Sequence, residues 1–202
     1  GRKIVNLIKR TAAQQKLRSV ANLDKQSERL LSIGAIWKSA MTTLRGSSTK
    51  KNANPMTTLP FFLVLGPSGS GKTTLMANSN VPIRFRNQSG QNNLPPTETI
   101  EFFFEDKAIV LDTSGRYVNL EQTPDINQEW DLIAKLLMKS RQREPLSGVV
   151  VTISLEDLWM TDRSLLTQLS QNIRQRIDSL MRTTNIRFPV YVMVTKLDLL
   201  AG

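Results

Sequence analysis

The stretch Gly66-Pro67-Ser68-Gly69-Ser70-Gly71-Lys72-Thr73 fits the pattern G-x-x-x-x-G-K-[ST], the phosphate-binding loop of nucleotide triphosphatases. The apolar run at 61–65 predicts a short buried strand before it, and residues 73–79 predict a helix after it. Glycines let backbone N–H groups turn inward around phosphates, while the helix N-terminus and the Lys72 ammonium add positive charge. This order of strand, loop and helix makes a chance Gly/Ser turn a poor explanation.

The composition of the 202-residue chain restricts its chemistry. It has no Cys and no His, which excludes disulfides, cysteine-ligated metals and the commonest general base. The remaining carboxylates, Lys, Arg, hydroxyls and backbone dipoles, together with a bound metal ion, suit phosphoryl transfer. At 40% hydrophobic residues the chain is neither clearly disordered nor membrane-embedded, and no apolar run approaches the roughly 18–20 residues that cross a bilayer.

The net charge of +10 belongs to the N-terminal segment. Residues 1–51 hold twelve Lys/Arg against two acids, whereas residues 52–202 hold fifteen of each. Such a segment is typical of the cytoplasmic face of a membrane or of a solvated basic helix. A nucleic-acid-binding arm fits less well because interleaved aromatic residues are missing, so we expect no nucleic acid partner.

Three segments are predicted along the chain. Residues 1–45 form a basic helical juxtamembrane segment that Gly34 is expected to kink or divide, and residues 46–58 form a linker. Residues 59–202 form the phosphate-loop domain, truncated at its C-terminal end. Because strands alternate with helices there, we predict an α/β fold with a mainly parallel sheet and helices on both faces.

The predicted elements of this domain follow from hydrophobic periodicity and turn residues. The strands are expected at 61–65, 100–104, 107–111, 148–153 and 189–194, the helices at 73–79, 128–142 and 162–184, and long polar loops at 80–98 and 113–127. Only two residues separate the strands 100–104 and 107–111, so this pair should form an antiparallel hairpin.

A carboxylate follows the second strand of that hairpin. Asp112 ends an apolar run, and Asp112-Thr113-Ser114-Gly115 has the form D-x-x-G. An acid at that edge of the sheet can hold Mg²⁺, together with the Thr73 hydroxyl, and the Gly115 N–H can contact the γ-phosphate. An ordinary turn acid is the competing interpretation of Asp112.

Two further residues are candidates for the reaction. Thr97 is placed to reach the metal and the γ-phosphate as a switch, with Thr99 as its rival and a solvated threonine as the alternative. Arg116 follows Gly115 where many switch GTPases place a glutamine that orients water. Arginine can stabilise transition-state charge or face solvent instead, so nucleotide binding is better supported than rapid turnover.

The motif Thr195-Lys196-Leu197-Asp198 follows the last predicted strand and has the form [NT]-K-x-D. Its carboxylate can accept two N–H groups of a guanine edge, and its lysine stem can cover the base, which favours GTP. ATP stays open because threonine replaces the more usual asparagine. The predicted nucleotide-binding residues are these motif positions and Gly66, Pro67, Ser68, Gly69, Ser70, Gly71, Lys72, Thr73 and Thr74.

Together these motifs resemble the cytoplasmic nucleotide-binding domain of the IcmF/TssM family, inner-membrane components of bacterial type VI secretion systems with a relative in the Dot/Icm type IVB system. The resemblance lies in residues 65–75, 110–117, 145–158 and 187–202, and the last two blocks are not shared by generic GTPases. Family members usually carry Gly-Thr and then Cys-Asp-Trp-Trp-Phe before the second strand. Here Pro96-Thr97 and residues 100–104 stand in that place, whereas Arg116 is usual in the family.

The resemblance implies a P-loop GTPase-like fold and a membrane setting. Family members have transmembrane helices before this domain and beyond it, which would place the domain on the cytoplasmic side of the bacterial inner membrane. It also implies a DotU/TssL-type membrane partner and contact with cytoplasmic secretion components. Three functions follow as hypotheses: a weakly hydrolysing GTP switch with Mg²⁺, a docking platform with a dispensable nucleotide pocket, and an ATPase.

Overall fold

The protein was analysed as a computed structural model, which describes residues 2–46, 55–78, 85–86, 97–104, 107–160 and 162–200. The strands are β1 (Phe61–Leu65), β2 (Phe85–Arg86), β3 (Ile100–Phe104), β4 (Ile109–Thr113), β5 (Gly148–Ser154) and β6 (Val190–Thr195). The helices are α1 (Arg2–Gly46), α2 (Pro55–Thr58), α3 (Lys72–Asn78), α4 (Pro124–Ser140), α5 (Leu155–Met160) and α6 (Arg163–Thr184), with 3-10 turns at Gly115–Tyr117 and Leu197–Leu200.

The six strands form one mixed sheet in the order β2-β3-β4-β1-β5-β6. Strands β4, β1, β5 and β6 are parallel, whereas β3 is antiparallel to β4 and β2 is antiparallel to β3. The predicted α/β fold with its hairpin is confirmed. Because the carboxyl ends of the four parallel strands share one edge, the loops that leave β1, β4, β5 and β6 converge there.

The sheet is covered on both faces. The larger core lies under α1, α4 and α6, and its fully buried residues include Phe61, Phe102 and Trp130. On the opposite face, Met76 of α3 packs against a smaller cluster of Val64, Phe103 and Val110. β6 is an edge strand, and its residues Val190 to Val194 are 37 to 70% exposed.

Several predicted boundaries were wrong. β4 spans 109–113 instead of 107–111, because Ile109 pairs with Phe61 and the register continues to the pair Val64 and Asp112. α4 begins at Pro124, inside the predicted loop 113–127, and ends at Ser140 instead of residue 142; proline suits the first turn because it lacks an N–H. The predicted loop 80–98 contains β2, paired with β3, and residues 79–84 and 87–96 lie outside the described part.

α1 continues as one helix through Gly34, so the expected division of the segment there was wrong. Its second half shares the core of the sheet domain, where Ile33, Trp37, Ala40 and Leu44 are all buried. The Trp37 ring meets Phe102 edge-on at 5.1 Å between centroids, and its indole N–H donates to Ser140 Oγ at 2.9 Å. The division into three segments stays a prediction, but α1 from Ile33 onward is packed on the phosphate-loop domain.

Trp37→Ala tests this packing. Removing a large side chain that is 3% exposed should lower the free energy of unfolding by about 3–5 kcal/mol, since the lost contacts leave a cavity between α1 and the sheet. Leu31→Ala, at a position 73% exposed on the same helix, should change it by less than about 0.5 kcal/mol. Urea unfolding followed by circular dichroism measures both, and equal values would show that α1 does not contribute to the core.

Candidate functional site

The phosphate-loop motif lies between β1 and α3, at the edge where the parallel strands end. Gly69 and Gly71 have φ angles of +81° and +78°, a region that side chains with a Cβ disfavour. A Cβ on Gly66 would lie 2.3 Å from the Thr152 carbonyl oxygen of β5. The loop therefore needs these glycines, two for conformation and one for its close approach to the sheet.

Lys72 is the buried cation of the site. Its side chain is 6% exposed, and Nζ donates to the carbonyl oxygens of Gly66 and Pro67 at 2.8 Å each. Burial lowers the pKa of Lys72, while attraction to Asp112 opposes that shift. Burial disfavours the charged form of Lys72. An anion bound in the loop would place negative charge beside this ammonium and stabilise its charged form.

The Asp112 carboxylate accepts hydrogen bonds from the hydroxyl groups of the other two predicted metal ligands. Its Oδ2 accepts from Thr73 Oγ1 at 2.8 Å and from Thr97 Oγ1 at 2.9 Å, and the two hydroxyls are 3.2 Å apart. Thr99, the rival of Thr97, instead offers its carbonyl oxygen to the Ser114 amide at 2.8 Å. We call the group of Lys72, Thr73, Thr97 and Asp112 the site cluster.

The second oxygen of Asp112 has no partner. Oδ1 is buried and accepts no hydrogen bond, and burial raises the pKa of Asp112 although Lys72 and the two hydroxyls oppose the shift. A set of carboxylate and hydroxyl oxygens with one free, buried acceptor fits a hard cation such as Mg²⁺. No group of three His, Cys, Asp or Glu residues suited to a metal occurs in the described ranges.

The D-x-x-G turn lies directly against the phosphate loop. Residues Gly115–Tyr117 form a 3-10 turn, capped by the Ser114 side chain, which accepts from the Arg116 amide. A Cβ on Gly115 would lie only 2.2 Å from the Ser68 amide nitrogen. Glycine is therefore required at 115, and any shift of the phosphate loop at Ser68 would press on this turn.

The Arg116 side chain is bound to α4. Its guanidinium Nη1 lies 2.8 Å from each carboxylate oxygen of Glu129, which is fully buried on α4, and the Tyr117 hydroxyl donates to the same carboxylate at 3.1 Å. Burial and the charge of Glu129 raise the pKa of Tyr117. Arg116 was predicted as a catalytic residue, but in this structure it links the turn to α4.

A clamp from α6 holds the segment that follows the turn, and the sequence reading missed it. Arg176 Nε donates to the Tyr117 carbonyl at 2.7 Å and Nη1 donates to Asn127 Oδ1 at 2.9 Å, while the guanidinium lies 5.6 Å from the Trp130 ring centroid. Asn172 Nδ2 donates to the Asn119 carbonyl at 2.8 Å. The available signal was that both polar residues lie on the helix face that also carries buried Leu169 and Leu180.

Thr195 Oγ1 donates to the Ser70 carbonyl at 2.6 Å and so supports the loop from β6. Lys196 has a φ of +56° and its ammonium pairs with Glu156 of α5 at 2.9 Å, a bond that raises the pKa of Lys196. Asp198 is exposed in the turn Leu197–Leu200.

A cavity of about 300 Å³ opens above these residues. Nine of its ten lining residues are among those predicted from the sequence, from Ser68 in the loop to Lys196 after β6, and the exception is Thr113. Larger cavities occur elsewhere in the described part, but this one is lined by a glycine loop, by the buried ammonium of Lys72 and by the two threonine hydroxyls that are hydrogen-bonded to the Asp112 carboxylate. It is therefore the candidate functional site.

Comparisons with known proteins agree with the sequence motifs. The family model of the IcmF-related N-terminal domain matches residues 125–202. The type VI secretion system component TssM1 of Pseudomonas aeruginosa is 35% identical over 161 residues, which is 78% of this chain but 14% of that protein. This chain thus corresponds to a small part of its curated relative.

Two solved structures resemble the fold at low identity. The signal recognition particle receptor SRb-GTP/SRX complex from Chaetomium thermophilum is 18% identical, with 72% of this chain and 73% of that chain covered and a TM-score of 0.47. An NFeoB mutant from S. thermophilus bound to GDP is 16% identical, with coverages of 71% and 60% and a TM-score of 0.34.

Gly115→Ala tests the contact between the turn and the loop. The added methyl group would collide with the Ser68 backbone, so we expect the free energy of unfolding to fall by about 1–3 kcal/mol. Gly34→Ala is the matched control, because a Cβ there meets nothing within 4 Å and should stabilise α1 by about 1 kcal/mol. Urea titration decides, and a Gly115→Ala protein as stable as the parent would contradict the packing described.

Proposed function

The chain belongs to the IcmF/TssM family, and on that premise we propose that it is a nucleotide-binding switch domain within a type VI secretion complex. The observation that carries the proposal is the site cluster, in which a buried ammonium and a buried carboxylate flank a glycine loop. A buried charge is unfavourable unless an opposite charge lies beside it. The phosphates of a bound triphosphate would supply that opposite charge for the ammonium, and the metal ion would supply it for the carboxylate.

Each residue of the cluster has a role in this proposal. Lys72 would neutralise the β- and γ-phosphates, and Thr73 and Asp112 would hold Mg²⁺, with Thr97 as an additional ligand. The metal, when bound, would neutralise charge on the phosphate oxygens during transfer. The Gly115 amide would contact the γ-phosphate, and its packing on Ser68 supports a role as a sensor.

GTP is the proposed nucleotide. The motif at 195–198 follows β6, and Lys196 lines the cavity. ATP remains the alternative, because Asp198 is exposed and Thr195 is engaged with the phosphate loop. Binding constants for the two nucleotides separate these proposals.

Turnover is proposed to be slow. Arg116 is held by Glu129 and the Tyr117 carbonyl is held by Arg176, and this engagement of the turn supports a low rate of hydrolysis. The same observation favours the second candidate function, a docking platform whose nucleotide pocket is dispensable. The two candidates differ in whether phosphate is released and whether partner binding responds to nucleotide.

The membrane setting is also a proposal. Within the described residues no helix combines the length and apolarity that crossing a bilayer requires. The basic excess of residues 1–51 supports a position at the anionic, cytoplasmic face of the inner membrane, with a DotU/TssL-type protein and cytoplasmic secretion components as partners.

Lys72→Ala should weaken nucleotide binding by about tenfold or more, equivalent to about 1.4 kcal/mol, because the phosphates lose their buried counter-charge. Calorimetric titration with Mg²⁺ and GTP measures the affinity. Lys135→Ala, at an exposed position on α4, is the control and should bind like the parent. Equal affinity of the Lys72→Ala protein and the parent would refute the assignment of the loop.

The same pair of proteins distinguishes the two candidate functions. Phosphate release by the parent above the Lys72→Ala background supports the switch. If no phosphate is released and partner binding does not depend on nucleotide, the result supports the platform. Melting curves of both proteins ensure that a loss of binding is not a loss of folding.

Asp198→Ala tests the choice of base. If the carboxylate reads guanine, the variant should lose about tenfold or more of its affinity for GTP and little for ATP, because guanine N–H groups are left without an acceptor. Asp178→Ala, half-exposed on α6, serves as the control. Competition of GTP and ATP against a fluorescent nucleotide is the measurement, and a parent that binds ATP more tightly than GTP would favour the ATP alternative.

A further inference from the structure

A groove lies between α1 and α4, with α2 at one side, away from the site cluster. Its volume is about 380 Å³. Trp37 and Met56 form a buried floor at 3% and 4% exposure, and Met41 and Leu136 are half-buried beside them. The Trp37 N–H already donates to Ser140, so the indole has no free donor for a ligand. The floor of the groove therefore presents an apolar surface to a bound ligand.

Gly34 keeps one end of this groove open. It sits in the interior of a 45-residue helix, where glycine is unfavourable, and its φ is not positive. A Cβ at this position would meet nothing within 4 Å, so packing within the described residues does not require glycine there. The missing side chain therefore leaves space that a bound side chain can fill.

The rim of the groove is basic on both walls. Lys38 and Arg45 project from α1 and Lys139 projects from α4, and all three side chains are exposed. None of the three forms an ion pair within the described part of the chain, and no acid lines the groove. Lys38 and Arg45 are seven residues apart, two helical turns or about 10.5 Å along α1.

We propose that this groove binds an acidic amphipathic helix of a partner protein. An apolar stripe on that helix would rest on Trp37 and Met41, and carboxylates on both sides of the stripe would meet the cations on the two walls. Cations on opposite walls fit a helix with two acidic flanks better than a single lipid headgroup, which presents its charge at one end. Two turns of helix match the spacing of Lys38 and Arg45.

A synthetic peptide tests the proposal with the 202-residue chain. The probe is a fluorescein-labelled 18-residue helix with leucines at i, i+3, i+4 and i+7 spacing and glutamates on both flanks, and the control probe carries lysines in place of the glutamates. Fluorescence anisotropy should show binding of the acidic peptide alone. Gly34→Leu, which fills the groove, should weaken binding by about tenfold or more while melting no lower than the parent.

Two charge-reversed proteins make the test specific. Lys38→Glu, Arg45→Glu and Lys139→Glu together should also weaken binding by about tenfold or more. Arg163→Glu, Arg182→Glu and Arg187→Glu together make the same change of charge on exposed residues on and after α6, and should stay within about twofold of the parent. Equal loss in both proteins, or a Gly34→Leu protein that binds normally, would overturn the proposal.

Two more measurements separate this proposal from others. If phosphatidylglycerol vesicles bind the parent through the groove cations and the peptide does not bind, the site is a lipid site and the proposal fails. The Lys72→Ala protein should bind the peptide like the parent. Failure of nucleotide binding and failure of groove binding are therefore observed independently.

Discussion

The buried carboxylate of Asp112 is the constraint on which the site depends. An aspartate so enclosed is unfavourable as an anion, and burial raises its pKa against the opposing effects of Lys72 and two hydroxyls. The parallel pairing of β4 with β1 fixes its position, because Asp112 lies opposite Val64 just before the phosphate loop. Lys72 must then fold back beneath the loop, and Thr73 and Thr97 must turn toward the acid. The register of β4 on β1 thus determines the positions of the oxygen atoms that could bind a metal ion, of Lys72 and of the phosphate loop.

From this cluster, a continuous set of contacts leads to the helices. Gly115 touches Ser68, Arg116 and Tyr117 both bind Glu129 on α4, and Arg176 of α6 binds the Tyr117 carbonyl. The turn is therefore held at the loop, at α4 and at α6. A ligand that moved Gly115 would have to break or displace the part-buried ion pair of Arg116 and Glu129, so the packed turn resists small displacements of the phosphate loop. These contacts transmit a conformational change from the loop to the helices only if the ligand binds one conformation of the turn more tightly than another.

The sequence predicted the elements that local patterns specify and missed those that depend on distant partners. Strand β1, the phosphate loop and α6 follow from an apolar run, glycines and hydrophobic periodicity, which are local signals. Asp112 was predicted at the sheet edge beside the phosphate loop, because strand ends meet at one edge of a parallel sheet, and the structure places Asp112 and Thr97 within hydrogen-bonding distance of Thr73. The ion pair of Arg116 joins residues thirteen positions apart on different elements, and no local pattern at 116 reveals it. The packing of Trp37 against Phe102 is a still more distant contact, so a basic helix looked separate from a domain whose core it completes.

Helix α4 relates the two surfaces that carry the proposals. Near its N-terminus, Glu129 holds the turn beside the phosphate loop, and near its C-terminus, Leu136 and Lys139 line the groove. Its seventeen residues make a rigid rod about 25 Å long, so a tilt imposed at one end must appear at the other. If nucleotide binding tilts α4, the affinity of the groove changes by some factor, and thermodynamic linkage requires a groove ligand to change nucleotide affinity by the same factor. If α4 does not tilt, the two sites are independent, and the domain is a platform whose pocket and groove act separately. The choice between switch and platform is therefore a question about one helix.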